Sequence, residues 1–239
     1  MSGFSEKGKL NGQKETLANP CYLIKHPKGN LIWEFGYQQS LADIKGGVTF
    51  YSSFHKNMKT KLTEQLNQIG LTPKDIDKVA ISHSHDDHLG NIGLFPDSTF
   101  IVNQLEHQAM FSDESKAAKE MFEIYAVMEK ADTVKFDQLH DVFGDGSVVI
   151  KSTPGHTAGS SVLLVRLEKA GSLLLTGDLY THSQARELQT VPSFVPYKQA
   201  LRDSRKAFEA LAKKENARVL IHHSKVDFEA MPVFPKYLD

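Results

Sequence analysis

Short apolar runs separated by turn-forming residues predict strands along the first half of the chain. The runs CYLIKH (21–26) and LIWEFG (31–36) flank PKGN (27–30), and a Pro/Gly/Asn turn between two β-rich runs predicts a hairpin. Two more apolar runs predict strands at 78–82 and 98–103.

The second half of the chain repeats this pattern and adds a long helix. Strand pairs are predicted around GDG in DVFGDGSVVIKSTPGH (141–156) and around KAG in SSVLLVRLEKAGSLLLTGD (160–178). Apolar residues recur at helical spacing over 197–216, and ARVLIHH (217–223) predicts a last buried strand.

Helical periodicity also marks three earlier segments. Segment 57–70 closes on Gly70 as a C-cap, a helix begins within 105–111, and 113–131 is helical by composition and spacing. The order of elements predicts one α/β domain over 1–239, with a helical insertion at about 113–131. We expect two mixed sheets packed together and covered by helices.

Composition narrows the class of protein. Hydrophobic residues make up 40% of 239 residues, which supports a substantial core. Lys and Arg (28) nearly balance Asp and Glu (29) without a basic tract, so we expect a small-molecule substrate and no nucleic acid. The apolar runs are too short to cross a bilayer, so no membrane partner is expected. The only cysteine, Cys21, excludes an internal disulfide.

The sequence narrows the cellular compartment and the oligomeric state to a few alternatives. No targeting signal is visible in the polar start MSGFSEKGKLNGQKE. We therefore expect a cytoplasmic protein, or a periplasmic or secreted one if the natural chain begins further upstream. A monomer or a homodimer would both be compatible with the composition.

The segment ISHSHDDHLGN (81–91) is the strongest chemical signal in the chain. Three histidines and two aspartates follow an apolar strand directly, at the kind of strand end where α/β proteins place their sites. Side chains alternate along an extended strand end, so His83 and His85 point the same way and could share one metal ion, while Asp87 and His88 could face a second. A site for one metal is the main rival, and surface loop histidines are the other.

Further ligand-type residues follow other apolar strands. They are His156 in STPGHTAGSS, Asp178 in LLLTGDLY, and the pair His222 and His223 in ARVLIHHS. Each alone could be a turn or cap residue, but their common position at strand exits favours one convergent site. Consecutive residues at a strand end point to opposite sides, so only one of the two final histidines should reach a metal.

The pattern H-x-H-x-D-H, followed by TPGHT, by GD and by a C-terminal histidine, resembles the metallo-β-lactamase superfamily. The resemblance implies an αββα sandwich with a dinuclear site, usually of zinc, along one edge of the two sheets. Within the superfamily, CYLIKHPKGNLIWEFG, DVFGDGSVVIKSTPGHTAGS and PVFPKYLD are similar to the N-acyl homoserine lactonases.

This resemblance also implies a ligand set. One metal would be held by His83, His85 and His156, the other by Asp87, His88 and His223, and Asp178 would bridge them. Asp87, Asp178 and Tyr180 are the implied catalytic residues, and two divalent ions, with zinc expected, are the cofactors.

Three segments depart from the lactonase pattern. Glu34, Phe35 and Gly36 stand where that group usually has Asp-Thr-Gly, and Ser224 replaces an aspartate after the last histidine. Some lactonases have a tyrosine three residues after the bridging aspartate, where this chain has Thr181 and carries Tyr180 one residue earlier. Packing after the strand is therefore the alternative role for Tyr180.

The expected activity is metal-dependent hydrolysis of lactones, with quorum quenching through N-acyl homoserine lactones as the specific hypothesis. Two ions can hold a hydroxide that attacks the ester carbonyl, and Asp178 can pass a proton to the leaving oxygen. Other superfamily hydrolases share these ligands: a β-lactamase, a thioesterase, or an aryl-ester or organophosphate hydrolase. A mononuclear sulfur dioxygenase and a non-catalytic binding protein are the more distant alternatives.

Overall fold

The computed structural model describes residues 1–6, 8–50 and 54–239. This part of the chain divides into two compact units. Unit 1 comprises Met1–Pro20, Val102–Gln108 and Lys135–Asp239, and unit 2 comprises Cys21–Ile101 and Ala109–Val134. One domain over 1–239 stays a prediction.

The described chain contains both strands and helices. The strands are β1 Tyr22–His26, β2 Gly29–Trp33, β3 Val48–Phe50, β4 Phe54–Lys56, β5 Lys78–Ala80, β6 Thr99–Asn103, β7 Thr133–Phe136, β8 Leu139–Asp141, β9 Val148–Ser152, β10 Ser161–Leu167, β11 Gly171–Leu175 and β12 Arg218–Leu220. The α-helices are α1 Leu62–Gln68, α2 Asp86–Leu89, α3 Gln104–Met110, α4 Asp113–Ala117, α5 Lys119–Phe122, α6 Ala185–Leu188, α7 Lys198–Lys214 and α8 Lys225–Glu229. Short 3-10 helices lie at Ser2–Phe4, Gln39–Asp43, Pro73–Asp75, Ile92–Leu94, Ala126–Lys130 and Gly177–Leu179.

The first sheet has the order β1-β2-β5-β6-β7 and is mixed. The β1–β2 hairpin forms as predicted, while β2, β5 and β6 run parallel. Trp33, Val79 and Phe100 are fully buried, because strands in the middle of such a sheet are covered on both faces. The histidines that follow β5 are therefore held at the end of a well-packed central strand. β3 and β4 form a separate antiparallel pair.

The second sheet, order β12-β11-β10-β9-β8, lies in unit 1. β11 and β12 are parallel, with Leu175 opposite Leu220, so both strands end at the same edge. β10 is antiparallel to β11 and pairs Leu163 with Leu175, so β10 begins at that edge. Sheet topology thus brings three loops together: the loop before β10, the loop after β11 and the loop after β12.

Helix α7 covers part of the second sheet. Its apolar stripe includes Leu201, Phe208 and Ala212, which belong to one buried cluster with Val162 of β10 and Leu174 of β11. Successive members of this stripe are seven and four positions apart, so they lie on one face of the helix, and this periodicity is what predicted the helix. No helix within the described ranges is long and apolar enough to cross a membrane.

Some predicted boundaries are wrong in detail. The helix predicted at 57–70 covers only Leu62–Gln68, although Gly70 follows it with a left-handed φ of 73°, as a C-terminal glycine should. Segment 113–131 breaks into α4, α5 and a 3-10 turn, and Ala118 has a non-helical backbone (φ −81°, ψ 64°) at the first break. The last strand covers three residues, not seven.

Candidate metal centre

In unit 2, the histidine-rich segment begins where β5 ends. The backbone is extended at His85 (φ −74°, ψ 157°), and α2 starts at the next residue. The side chain of His83 is fully buried, and its Nε2 atom lies 2.9 Å from Nδ1 of His85. The two side chains therefore meet, edge to face, as residues that could share one metal, although the segment is a loop rather than a continued strand.

Asp87 and His88 lie in the first turn of α2. Nε2 of His88 is 3.8 Å from Oδ1 of Asp87, and the His88 ring is buried at 4.1 Å, centroid to centroid, from the ring of His83. All four ligand-type residues of the motif therefore form one cluster within unit 2.

A buried carboxylate, Glu34, lies behind this cluster. Its Oε2 atom is 3.1 Å from Nδ1 of His88, and its Oε1 atom accepts the backbone N–H of Ser82 at 3.3 Å. The hydroxyl of Ser82 is 2.9 Å from Nδ1 of His83. Contacts to Nδ1 fix both rings and leave their Nε2 atoms to face away, which is how metal-binding histidines are commonly oriented.

Glu34 also has an unusual backbone. Its φ is 68°, a left-handed conformation that costs a non-glycine residue about 1–2 kcal/mol. Sequence reasoning noted Glu34 only as a departure from the lactonase pattern and did not predict the His88 contact. The sequence did contain one signal of such a contact: Glu34 is an acidic residue directly after the buried strand β2, where a buried carboxylate needs a partner.

In unit 1, Asp178 lies between two imidazoles. Its Oδ2 atom is 3.2 Å from Nε2 of His156, and its Oδ1 atom is 3.1 Å from Nε2 of His223. All three side chains are nearly buried. Each carboxylate oxygen therefore faces a different histidine, and the three residues come from the three loops that the second sheet brings to one edge.

Local backbone features fix this arrangement. Gly177, directly before Asp178, has a φ of 48°, which turns the chain sharply out of β11. Gly155 precedes His156 with a φ of 148°, and a Cβ atom there would lie 2.4 Å from the Cα of Leu201 on α7. Only glycine allows that approach, so the turn holding His156 rests directly on the helix.

The two final histidines have different partners within unit 1. Nδ1 of His223 is 2.8 Å from the carbonyl oxygen of Ala18, which leaves Nε2 toward Asp178. Nε2 of His222 is instead 3.0 Å from Oδ1 of Asn19. The predicted ligand His223 thus points at the Asp178 carboxylate. The N-terminal segment that orients both rings was not anticipated from sequence.

Tyr180 lies in the core of unit 1. Its side chain is fully buried against Phe208, and its hydroxyl donates to Glu209 at 2.8 Å. Burial and the hydrogen bond to Glu209 raise the pKa of Tyr180 to about 12. This placement agrees with the packing role and gives no support to contact with substrate.

Cys21 is unsuited to nucleophilic attack. Burial, and secondarily the negative charge of Glu34, raises the pKa of Cys21 to about 12. The thiol therefore stays protonated near neutral pH, and the thiolate is the reactive form.

The donor atoms fit a metal site. Two ligands on one tetrahedral Zn²⁺, at about 2.0–2.2 Å from the ion, lie roughly 3.3–3.5 Å apart. The two His–Asp178 distances of 3.2 and 3.1 Å are close to that value. Side chains able to ligate a metal occur in both units, namely His83, His85 and His88 in unit 2 and His156, Asp178, His222 and His223 in unit 1.

Known proteins with similar sequences are lactonases. The N-acyl homoserine lactonase AttM of Azorhizobium caulinodans is 32% identical over 235 residues, which cover 95% of this chain and 88% of that protein. The N-acyl homoserine lactonase AiiA of Bacillus thuringiensis subsp. kurstaki is 27% identical, over 91% of this chain and 86% of that one.

Solved structures show the same fold. A variant of B. thuringiensis AiiA with N-decanoyl-L-homoserine at its active site superposes with a TM-score of 0.81 and 23% identity, covering 99% of this chain and 93% of that one. AidC, a dizinc quorum-quenching lactonase, matches with a TM-score of 0.64 and 16% identity over 87% and 73% of the two chains. The predicted fold class, the αββα metallo-β-lactamase fold, is confirmed.

Comparison of the chain with whole protein families gives the same assignment as the motif, the fold and the similar proteins. Residues 16–223 match the metallo-β-lactamase superfamily, a span that includes every ligand predicted from the sequence. This chain belongs to the metallo-β-lactamase superfamily.

Proposed function

We propose that this protein is a two-metal hydrolase that opens lactone rings, with N-acyl homoserine lactones as its substrate class. The observation that carries the two-metal part is the Asp178 carboxylate, whose two oxygens face two different imidazoles. The relationship to AttM, at 32% identity over nearly the whole chain, supports the substrate class.

The proposed ligands divide as the family pattern implies. One ion takes His83, His85 and His156, and the other takes Asp87, His88 and His223, with Asp178 shared. The clusters within each unit support this division, because His83 pairs with His85 in unit 2 while His156 and His223 take opposite oxygens of Asp178 in unit 1. Zinc suits these nitrogen and oxygen donors.

Each residue has a distinct part in the reaction. Two bound divalent ions would supply an activated water and a Lewis acid for the ester carbonyl. With the ions bound, Asp178 would take a proton from the attacking water and return it to the ring oxygen as the acyl C–O bond breaks. The product is the open hydroxy acid, so one water is consumed per ring. Asp87 and Asp178 would offset part of the positive charge of two divalent ions, while Glu34 and Ser82 hold His88 and His83 in position.

Phe194 offers an apolar surface beside a proposed ligand. Its side chain is 54% exposed, and its ring lies edge-on to His156 with centroids 6.3 Å apart. Phe4 packs edge-on against the ring of Phe194, with centroids 5.6 Å apart. An exposed aromatic face next to the reacting centre suits an aliphatic acyl chain, and we assign Phe194 this role.

A panel of substrates tests the proposal. Metal-loaded protein is incubated with short- and long-chain N-acyl homoserine lactones, a penicillin, a cephalosporin, a thioester, an aryl ester and a phosphotriester, and kcat/KM is measured for each. We expect lactones to be turned over fastest, with release of the hydroxy acid. Faster turnover of any other class by orders of magnitude would assign the site to another superfamily hydrolase.

A further inference from the structure

One face of helix α7 carries basic side chains away from the proposed ligands. Arg202, Arg205 and Lys206 occur at the spacing that places residues on one helical face. Together with other side chains they line a pocket of about 310 Å³ in unit 1. The lining residues are Gln189, Val191, Arg202, Arg205, Lys206 and Glu209.

Arg205 is a buried cation in this pocket. Only 3% of its surface is exposed, Nε donates to the carbonyl of Leu179, and Nη1 donates to the carbonyl of Thr190, both at 2.8 Å. The guanidinium also lies 4.6 Å above the ring of Tyr180. Within residues 1–6, 8–50 and 54–239, no carboxylate pairs with Arg205, and Nη2 has no hydrogen-bond partner.

The acidic residue in the pocket does not neutralise Arg205. Glu209 accepts two hydrogen bonds from Arg186, at 2.8 and 2.7 Å, and one from the Tyr180 hydroxyl. Lys206 is exposed and forms no ion pair among the residues that the structure describes. Arg205 and Lys206 therefore leave the pocket with uncompensated positive charge.

A buried guanidinium without a counterion is unfavourable unless a bound ligand supplies a negative charge. Burial lowers the pKa of Arg205 to about 10, so the side chain still carries its proton at neutral pH. Two of its nitrogens are committed to backbone carbonyls, which fixes the plane of the fork. Such a fixed fork is suited to an anion with several oxygens.

We propose that this pocket binds a phosphate group, held by Arg205 and Lys206 with help from Arg202 and the Gln189 amide. The pocket volume exceeds that of inorganic phosphate and leaves space for a small organic substituent. None of its lining residues is a proposed metal ligand, so this site is distinct from the metal centre. Arg202 already pairs with Glu6 at 2.7 Å and therefore contributes less than the other two cations.

Calorimetric titration of metal-loaded protein with inorganic phosphate tests this site. Lys206→Glu reverses a charge at the mouth of the pocket, and Lys213→Glu is the matched control, because Lys213 is exposed on the same helix but does not line the pocket. Phosphate held by the metals contributes equally to all three proteins. We expect wild type and K213E to bind alike and K206E to bind about tenfold more weakly or worse.

Equal binding by K206E and K213E would overturn the proposal. Arg205→Met removes the central donor and should abolish the phosphate bound outside the metal centre. If that variant fails to fold, because Arg205 also holds two carbonyls, the comparison of K206E with K213E still decides.

Titrations with other anions identify the ligand class. Binding of a phosphomonoester such as glycerol phosphate more tightly than inorganic phosphate would place an organic phosphate in the pocket. Equal affinities would indicate free phosphate as the natural ligand. Acetate binding as tight as phosphate binding, with the same loss in K206E, would contradict a phosphate-specific site.

Discussion

Oδ1 of Asp178 lies 3.1 Å from Nε2 of His223, and the other oxygen of the same carboxylate faces His156. The parallel pair β11–β12 creates this relationship, because both strands end at one edge of the second sheet and each is followed by a ligand-type residue. A carboxylate whose two oxygens face two different imidazoles is suited to act as a shared ligand of two ions. The proposed mechanism depends on this residue more than on any other.

Substitution of each of the last two histidines distinguishes the proposed metal ligand, His223, from its sequence neighbour, His222. His223→Ala should lower metal content and reduce kcat/KM by at least about 100-fold, because the Nε2 atom facing Asp178 is removed. His222→Ala should retain metal, since His222 faces Asn19 in unit 1. Metal analysis and kinetics on both variants check this. The reverse pattern would place the ligand one residue earlier.

Glu34 is expected to act through His88. Glu34→Gln keeps the size of the side chain but removes the charge that supports His88 Nδ1, so metal affinity should fall about 10–100-fold. Competition with a chelator measures the affinity directly, without relying on activity. Glu123→Gln, an exposed change of the same type in unit 2, serves as the control. Unchanged metal affinity in E34Q would remove Glu34 from the account.

Removal of the hydroxyl oxygen of Tyr180 tests whether this residue has a structural or a catalytic role. Tyr180→Phe deletes the hydroxyl that donates to Glu209 and should cost about 1 kcal/mol of unfolding free energy, while kcat stays near the wild-type value. Denaturant unfolding and steady-state kinetics give the two quantities. A large fall in kcat with unchanged stability would instead favour a direct role in the reaction.

The fold and the ligand types could be predicted because they depend on local patterns. Turn residues between apolar runs placed the hairpins around PKGN, GDG and KAG, and all three form. Ligand-type residues at strand ends are readable in the same way. His83, His156, Asp178 and one histidine of the pair 222–223 could therefore be proposed without structural information, and the resemblance to the lactonases selected His223.

Contacts between distant segments could not be read from local patterns. Glu34 meets His88 across 54 positions, and Ala18 meets His223 across 205. Nothing in either neighbourhood signals the other. The break at Ala118 shows the same limit, since the residues of 113–131 favour helix individually and only packing decides where the helix stops. Tyr125 and Met128 are buried there, while Met121 is 40% exposed.

Phe194 should affect substrate choice more than metal binding. Phe194→Ala removes apolar surface beside His156, so kcat/KM for a long-chain N-acyl homoserine lactone should fall about tenfold, with less change for a short chain. Phe228→Ala is the control, because Phe228 is 53% exposed and has no aromatic contact with a proposed ligand in the described chain. Equal losses for both chain lengths would contradict an acyl-chain role.

The metal content of the purified protein tests the central claim most directly. Elemental analysis after dialysis should find about two divalent ions per chain in the wild type. Asp178→Asn, which keeps the shape of the side chain but replaces one ligand oxygen with an amide nitrogen, should hold fewer ions and lose at least about 100-fold in kcat/KM. Asp203→Asn, an exposed change on α7, should match the wild type. One ion per chain in a fully active wild type, or two in an active D178N, would contradict the two-metal mechanism.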